Sequence, residues 1–487
     1  MPAGLESPLP VGITYNIGQV KKITEKSRFF TNMKNLQLKF FILSLISVTA
    51  LCKAQNPIIQ TKYTADPAPM VYKDTVFLYT SHDENESAPG RGKFLMKDWL
   101  LYTSTDMVNW TDHGAVASLK DFAWGKQDNG AWAPQCIERN GKFYLYCPIH
   151  MNGIGVLVSD NPYGPFKDPI GKPLISNSMD DIDPTVYIDD DGQAYLYWGN
   201  PTLYHVKLNE DMVSYNGGIV TEKMTTEAFG KRKGHPTRAT QYEEGPWFYK
   251  KNNHYYMAFA STCCPEGMGY SMSNSPTGPW EYKGSIMDGD ERSSGNHPGI
   301  IDYKGKAYIF GFNYRLNFMV TDEHHERRSV CIEEFKYNND GTIPKLPWWS
   351  ETGVKPVGTL NPFKRTEAET IAWSHGLETA KGANGMYVTA IDNGDYFTIR
   401  SVDFGKGAKT FEATVAGVAP DAVIEIHVDN PKGTLLGTLK IKSTGGNNKW
   451  ANQACSIKKQ MGMHDICFVF KGTGKDLFNF DWWKFSR

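Results

Sequence analysis

The sequence predicts an all-β protein: a five-bladed β-propeller over residues 55–350, followed by a β-sandwich over 364–487. Three observations predict it. The chain is rich in aromatic and turn residues, with 25 Tyr, 25 Phe, 13 Trp, 46 Gly and 27 Pro in 487 residues, and it lacks the long Ala/Leu/Glu runs of helices. One aromatic hairpin pattern recurs five times. Beyond residue 363 that repeat stops, and alternating strands separated by Gly, Asn and Asp take over. Charge is balanced, 52 basic against 53 acidic residues, which excludes a polybasic nucleic-acid binder or an acidic tail. A hydrophobic content of 40% is ample for a core and too high for a disordered chain.

In chain order, the first element is a leader. Lys34 and Lys39 precede an apolar run from Phe40 to Leu51, and Cys52-Lys53-Ala54 offers a small-x-small cleavage site before Gln55. Residues 33–54 therefore read as a signal peptide and residues 1–32 as an upstream extension absent from the mature protein, which is expected to be secreted or periplasmic. The rival reading is a membrane anchor or a lipid-modified Cys52, to which Leu51 is a poor fit. No other stretch approaches the roughly 18 apolar residues of a membrane span, so none is expected in the mature chain. Seven cysteines remain after Cys52, and an odd number argues against a full disulfide framework. Cys455 and Cys467 would face each other if a hairpin turned near Met461-Gly462; the alternative is buried thiols. Adjacent Cys263 and Cys264 have no metal-type partner spacing and receive no function.

The five repeated arms are Tyr72–Tyr79, Glu138–Tyr146, Asp189–Tyr197, Tyr249–Met257 and Asp302–Phe310, aligned on Phe77, Tyr144, Tyr195, Tyr256 and Tyr308. Each unit holds several strands but cannot close a core alone, so radial repetition of four-stranded sheets is the natural solution. Just upstream of each aromatic stands a proline with a distinctive companion: Asp66-Pro67, Trp132-Ala133-Pro134, Asp183-Pro184, Glu244-Gly245-Pro246 and Asn296-His297-Pro298. Proline tolerates the first position of a strand. These residues are thus expected to begin the innermost strand of each blade and to ring one mouth of the central channel.

Three of the ringed residues are acids: Asp66, Asp183 and Glu244. A single Asp-Pro is ordinarily a turn former; three acids in one phase, beside Trp132 and His297, are better explained as a site. Crowded, desolvated carboxylates split their acidities into a proton donor and a base, as glycoside hydrolysis requires. Other acids compete less well. Asp189-Asp190-Asp191-Gly192 resembles a calcium loop but lacks the downstream Glu and lies between two arms, which favours a hairpin turn. Asp180 and Asp181 lie outside the phase, and a slip of one residue would exchange Glu243 for Glu244. No metalloprotease, nucleophile-elbow, phosphate-loop or dinucleotide motif occurs.

The segments ADPAPMVYKDTVFLYTSHDE (65–84), NGAWAPQ (129–135), DIDPTVYIDDDGQAYLYWGN (181–200), YEEGPWFYKKNNHYYMAFAS (242–261) and GNHPGIIDYKGKAYIF (295–310) resemble glycoside hydrolase family 43. The resemblance implies an inverting enzyme with Asp66 as general base, Glu244 as general acid, and Asp183 tuning and orienting that acid. It implies a sugar-stacking wall at Trp132, and His297 on the channel axis facing a water or a metal ion such as calcium. Arg315, after the fifth arm, is a further candidate for the pocket. Residues 56–84 and 95–113 look most like arabinoxylan arabinofuranohydrolases, with a β-xylosidase as the nearest enzymatic alternative. The stretches GFNYRLNF (311–318) and STCCPEGMGY (261–270) depart from the family's pattern and leave side-chain specificity open. A non-catalytic sugar-binding propeller is the competing class, which the intact acid trio disfavours.

Residues 351–363 read as a linker. Beyond them, RTEAET (365–370), IDNGDYFTI (391–399), LLGTLKIKSTGGNNKW (435–450) and LFNFDWWKF (477–485) resemble a family 6 carbohydrate-binding module. That resemblance implies a β-sandwich of jelly-roll type, an aromatic clamp of Tyr396 and Trp450, a hydrogen bond to sugar from Asn479, and a structural calcium on Glu367, Glu369 and Asp481. The expected partners are plant cell-wall arabinoxylan, xylan and their oligosaccharides, not nucleic acid.

Overall fold

The computed structural model describes residues 55–235, 237–290 and 295–487; the leader read at 33–54 lies outside them. Strand accounts for 49% and helix for 3%, so the protein is all-β. No helix among the described residues is long and apolar enough to cross a membrane.

Five antiparallel sheets follow one another between Tyr63 and Phe335. Their first strands are Tyr63–Tyr72, Gln135–Arg139, Thr185–Ile188, Tyr242–Lys251 and Gly299–Tyr303. Each repeated arm of the sequence is the hairpin joining a first strand to a second. The register is the same in all five. The residue three beyond the motif proline lies opposite the marker aromatic: Met70 opposite Phe77, Ile137 opposite Tyr144, Tyr187 opposite Tyr195, Tyr249 opposite Tyr256, Ile301 opposite Tyr308. The third hairpin carries one residue more, and the Asp189–Gln193 turn absorbs it. All five marker aromatics are buried between sheets, where large rings contribute most apolar area.

Neighbouring sheets touch through their first strands. Val186 N–H donates to Gln135 Oε1, Phe248 N–H to Thr185 Oγ1 (3.0 Å) and Trp247 Nε1 to the Ile300 carbonyl (2.9 Å). At Gly299 a side chain would collide with the Pro67 carbonyl, 2.5 Å from the Cβ position, so glycine lets the fifth sheet close on the first. Tyr72 meets Phe143 edge-on at 5.0 Å between the first and second sheets.

Two further sheets build the C-terminal module. One contains Glu378–Gly382, Gly385–Thr389, Asn479–Ser486, Ala408–Ala416 and Ala451–Gln460; the other contains Trp373–His375, Tyr396–Asp403, Met463–Lys471, Val423–Val428 and Leu435–Lys440. Their inner faces share a core that includes Phe397, Phe411, Phe468, Phe480 and Trp483, the layering of a β-sandwich. The chain does turn near Met461-Gly462, but Ala451–Gln460 and Met463–Lys471 enter different sheets, so Cys455 and Cys467 do not face each other as hairpin partners. Cys263 and Cys264 are bonded to each other.

The residues between the modules are held at several points. Strand Thr370–Ile371 adds to the outer edge of the first sheet beside Trp110–Ser118. Asn109 exchanges hydrogen bonds with the Arg400 backbone (2.9 and 2.8 Å). Lys62 and Thr379 both reach the buried Asp112 carboxylate.

Candidate active site

Asp66, Trp132, Asp183, Glu244 and His297 line one pit of about 180 Å³. The backbone explains how. Asp66 and Asp183, each preceding its proline, have φ of 51° and 59°, and Gly245 before Pro246 has φ 58°. Left-handed backbone at non-glycine residues is costly and tends to persist where a site requires it. Bulges at Ala65/Ala68 and Glu244/Trp247 interrupt the first and fourth ladders at these points, and bulges re-aim side chains. Asp66 and Glu244 therefore sit a few residues inside their first strands rather than at the start. Asp183, Pro134 and His297 do precede theirs. Gly245 has a second reason to be glycine: a Cβ there would lie 3.0 Å from the His297 ring.

The imidazole is the meeting point. His297 Nε2 is 3.8 Å from Asp66 Oδ1, 3.7 Å from Asp183 Oδ2 and 4.0 Å from Glu244 Oε1. Asp66 and Glu244 share this neighbour, which caps their separation below the upper end of the roughly 6.5–9.5 Å that inverting enzymes leave for a water. Burial lowers the His297 pKa, although the Asp66 charge opposes it, so the ring tends toward neutrality.

Asp66 is held as an anion's partner would hold it. Ser81 Oγ donates to Oδ2 (2.6 Å) and Arg328 Nη1 donates to Oδ1 (2.8 Å). The same guanidinium grips Asp83 with two donors at 2.9 Å each. Glu244 is different. Burial, then the carboxylates of Glu243 and Asp66, push its pKa up to about 7, against the Asn200 amide, which donates to Oε2 at 2.5 Å. Burial, then Glu244 and Asp66, also push Asp183 well above the ordinary aspartate range. The Gly245 N–H donates to Asp183 Oδ2 (3.0 Å), favouring charge there. Glu244 is the more open of the two, 15% against 3% side-chain exposure. The proton available to a ligand is therefore that of Glu244, and an acid near neutrality beside an ion-paired aspartate can give and take protons across one pit.

The slip that would exchange Glu243 for Glu244 does not occur: Glu243 is occupied by Arg232 and Arg238, while Glu244 lines the pit. Asp181 caps its own loop, accepting from Asn177, Ser178 and Trp198. Asp189 accepts from Lys250 and Tyr255 at a hairpin turn. Trp132 forms one wall, its ring stacked on His150 at 3.7 Å and 14° with Phe94 at its edge.

Arg315 is not at the pit. Its guanidinium donates to the Asn56 carbonyl (2.9 Å) and lies 5.3 Å over Trp373, in a different cavity. Conversely, Arg328, Asn200, Ser81, Asp83 and His150 escaped the sequence reading. Asn200 stands in the WGN end of a segment already singled out; nothing around Arg328 marks it. Glu266 escaped as well. It is buried, its pKa is raised well above the usual range by burial and then Glu244, and it accepts from the Asn296 N–H.

In the sandwich, Trp450 and Tyr396 lie outside the core cluster. The Trp450 ring meets Tyr387 edge-on at 5.3 Å, and Asn479 donates to the Asn447 carbonyl of the same loop while accepting from Thr389. Tyr396 belongs to the other sheet and lies parallel to His375 at 5.8 Å. Glu367 is forked to Arg365 by two bonds of 2.8 Å. Glu369 is buried with a pKa raised by burial, and then by Glu367 and other acids, to about 9; its Oε2 has no hydrogen-bond partner among the described residues.

Residues 54–343 match the family described as Glycosyl hydrolases family 43, and residues 367–487 match Carbohydrate binding module (family 6). The arabinoxylan arabinofuranohydrolase of Bacillus subtilis (strain 168) is 32% identical, spanning 89% of this chain and 92% of its own. The enzyme of the same name from Paenibacillus polymyxa is 33% identical, spanning 88% of this chain and 74% of its own. A crystal structure of a family 43 arabinoxylan arabinofuranohydrolase from Bacillus subtilis, in complex with cellotetraose, superposes with TM-score 0.77 at 31% identity, covering 90% of this chain and 100% of the other. With the match running through every strand that shapes the pit, this chain belongs to the glycosyl hydrolases of family 43.

Proposed function

We propose that this glycosidase removes α-L-arabinofuranosyl side chains from arabinoxylan or its oligosaccharides, with inversion. The observation that carries the reading is the convergence of Asp66, Asp183 and Glu244 on one His297 nitrogen. The names of relatives that span 88–89% of the chain supply the substrate class. The five sheets are then the blades of a five-bladed propeller, with the pit at one mouth of its channel. Residues 55–350 form the catalytic domain, 351–363 the linker and 364–487 the binding module, and residues 33–54 direct the protein to the periplasm or beyond.

In this reading Asp66, fixed by Ser81 and Arg328, takes a proton from the attacking water. Glu244 gives its proton to the leaving oxygen. Asp183 orients the Gly245 backbone and, with Glu244, keeps one proton in the pair. His297 closes the floor and Trp132 offers its face to the sugar ring. In the module, Trp450, Tyr387 and Asn479 form the sugar-facing group and Tyr396 an outlying one. The orphaned Oε2 of Glu369, with the partly exposed Glu367 and Asp481 nearby, offers the oxygen donors that a structural calcium prefers; such an ion would offset the buried Glu369 and would draw Glu367 from its fork with Arg365. For His297 the nitrogen donor suits calcium less well, and a water-linked role at the pit floor is preferred.

The test is release of arabinose and xylose from arabinoxylan and aryl glycosides. Arabinose should dominate for the wild type, and Asp66→Ala and Glu244→Ala should each lose about 10²–10⁴-fold in kcat. Wild-type rates in both variants would overturn the assignment, and xylose as the main product would shift it to a β-xylosidase.

A further inference from the structure

Arg315 leads to a second cavity, of about 310 Å³, separate from the pit. Phe318 and Met319 from the short helix Arg315–Val320 line it, together with Trp348, Trp349 and Glu351. Its place in the fold follows from register. Gly299 pairs with Phe310 and Asn313 with Ser329 in the fifth sheet. The segment 314–328 therefore emerges at the sheet end where His297 enters and where Arg328 grips Asp66. The second cavity and the pit open from the same end of that sheet.

The lining has the mixed character that sugars select. Phe318 and Met319 are 38% and 52% exposed, and Trp348 is half-buried beside them, which offers apolar surface to flat sugar faces. Trp349 is 6% exposed and joins the cavity wall to the core behind it. The one cation is compensated: Arg315 has Glu351 at 3.8 Å, the Asn56 carbonyl at 2.9 Å and the Trp373 ring at 5.3 Å. A compensated cation gives an anion little to gain, which favours a neutral occupant.

We propose that this cavity is a second saccharide-binding site that holds an unbranched pentopyranose stretch of the polymer while a side chain occupies the pit. The proposal rests on the arabinoxylan reading for its ligand. The test uses the full chain with Trp348→Ala and, because Trp348 is partly packed, Phe318→Ala at an exposed position. For 4-nitrophenyl arabinofuranoside, which fills only the pit, kcat/KM should stay within about twofold of wild type. For soluble arabinoxylan, KM should rise about three- to tenfold, as expected for one lost aromatic contact. Calorimetric titration with xylohexaose should lose one class of sites in each variant. Unchanged polymer KM and unchanged xylohexaose stoichiometry in both variants would overturn the proposal. If the wild type releases no arabinose yet xylohexaose binding depends on Trp348 and Phe318, the second site stands and the arabinoxylan reading falls.

Discussion

Glu244 sits among more negative charge than its neighbours neutralise. In the role proposed for it, Glu244 works only while protonated, so with a pKa pushed up to about 7, kcat/KM should fall as pH rises through neutrality. The Asn200 amide stabilises the charged form of Glu244. Asn200→Ala removes that donor, raises the Glu244 pKa and should move the alkaline limb of the pH–rate profile upward. An unmoved limb would mean that another group titrates there. Arg328 is the counterweight, compensating both Asp66 and Asp83 from a buried position. Arg328→Met leaves two buried carboxylates facing each other, and breaking such a pair costs about 3–5 kcal/mol. The denaturation midpoint should drop accordingly and activity should be lost, because Asp66 loses its positioning donor.

At the scale of the element, the pre-proline bend aims the acids. In two sheets the acid itself takes the left-handed conformation; in the fourth, Gly245 takes it and Glu244 stands one residue earlier. Gly245→Ala would add a Cβ both at a positive φ and against His297, at a cost of about 1–2 kcal/mol for the backbone alone. The additional clash with the ring disappears if the ring is absent. A double-mutant cycle of Gly245→Ala with His297→Ala should therefore be less than additive in thermal stability. Strict additivity would show that the two residues do not press on each other. The hairpin register was legible in the sequence because proline and the marker aromatic lie within one turn of each other, and local pairing carries that information. The bulges were not legible: nothing in YTADPAP or YEEGPW distinguishes a strand that starts at proline from one that passes through it.

For the whole molecule, the sandwich is continuous with the first sheet through Thr370–Ile371, and Lys62, Asn109 and Arg400 stitch the contact. The segment read as a linker thus joins two docked bodies, with Leu360 paired to Val402. Calorimetry should show one unfolding transition. Lys62→Ala combined with Arg400→Ala removes two charged stitches, Lys62 Nζ to Thr379 Oγ1 and Arg400 Nη1 to Gln55 Oε1 (2.9 Å), and the single transition should separate into two; an unsplit transition would place the coupling in the strand pairing, the Asn109 bonds to the Arg400 backbone and apolar contact instead.

By itself, the sequence determined the all-β class, the five equivalent hairpins and the phase that gathers Asp66, Asp183, Glu244, Trp132 and His297. Each is written in short-range periodicity, and sheets built on one register repeat their geometry. Only the tertiary structure decided that Arg328 neutralises Asp66 across 262 residues, that Asn200 bonds Glu244, that Arg315 belongs to another cavity, and that Trp450 meets Tyr387. These pairings are made through space by buried polar groups seeking partners, and a desolvated charge is satisfied by whatever the fold brings near, however distant in the chain.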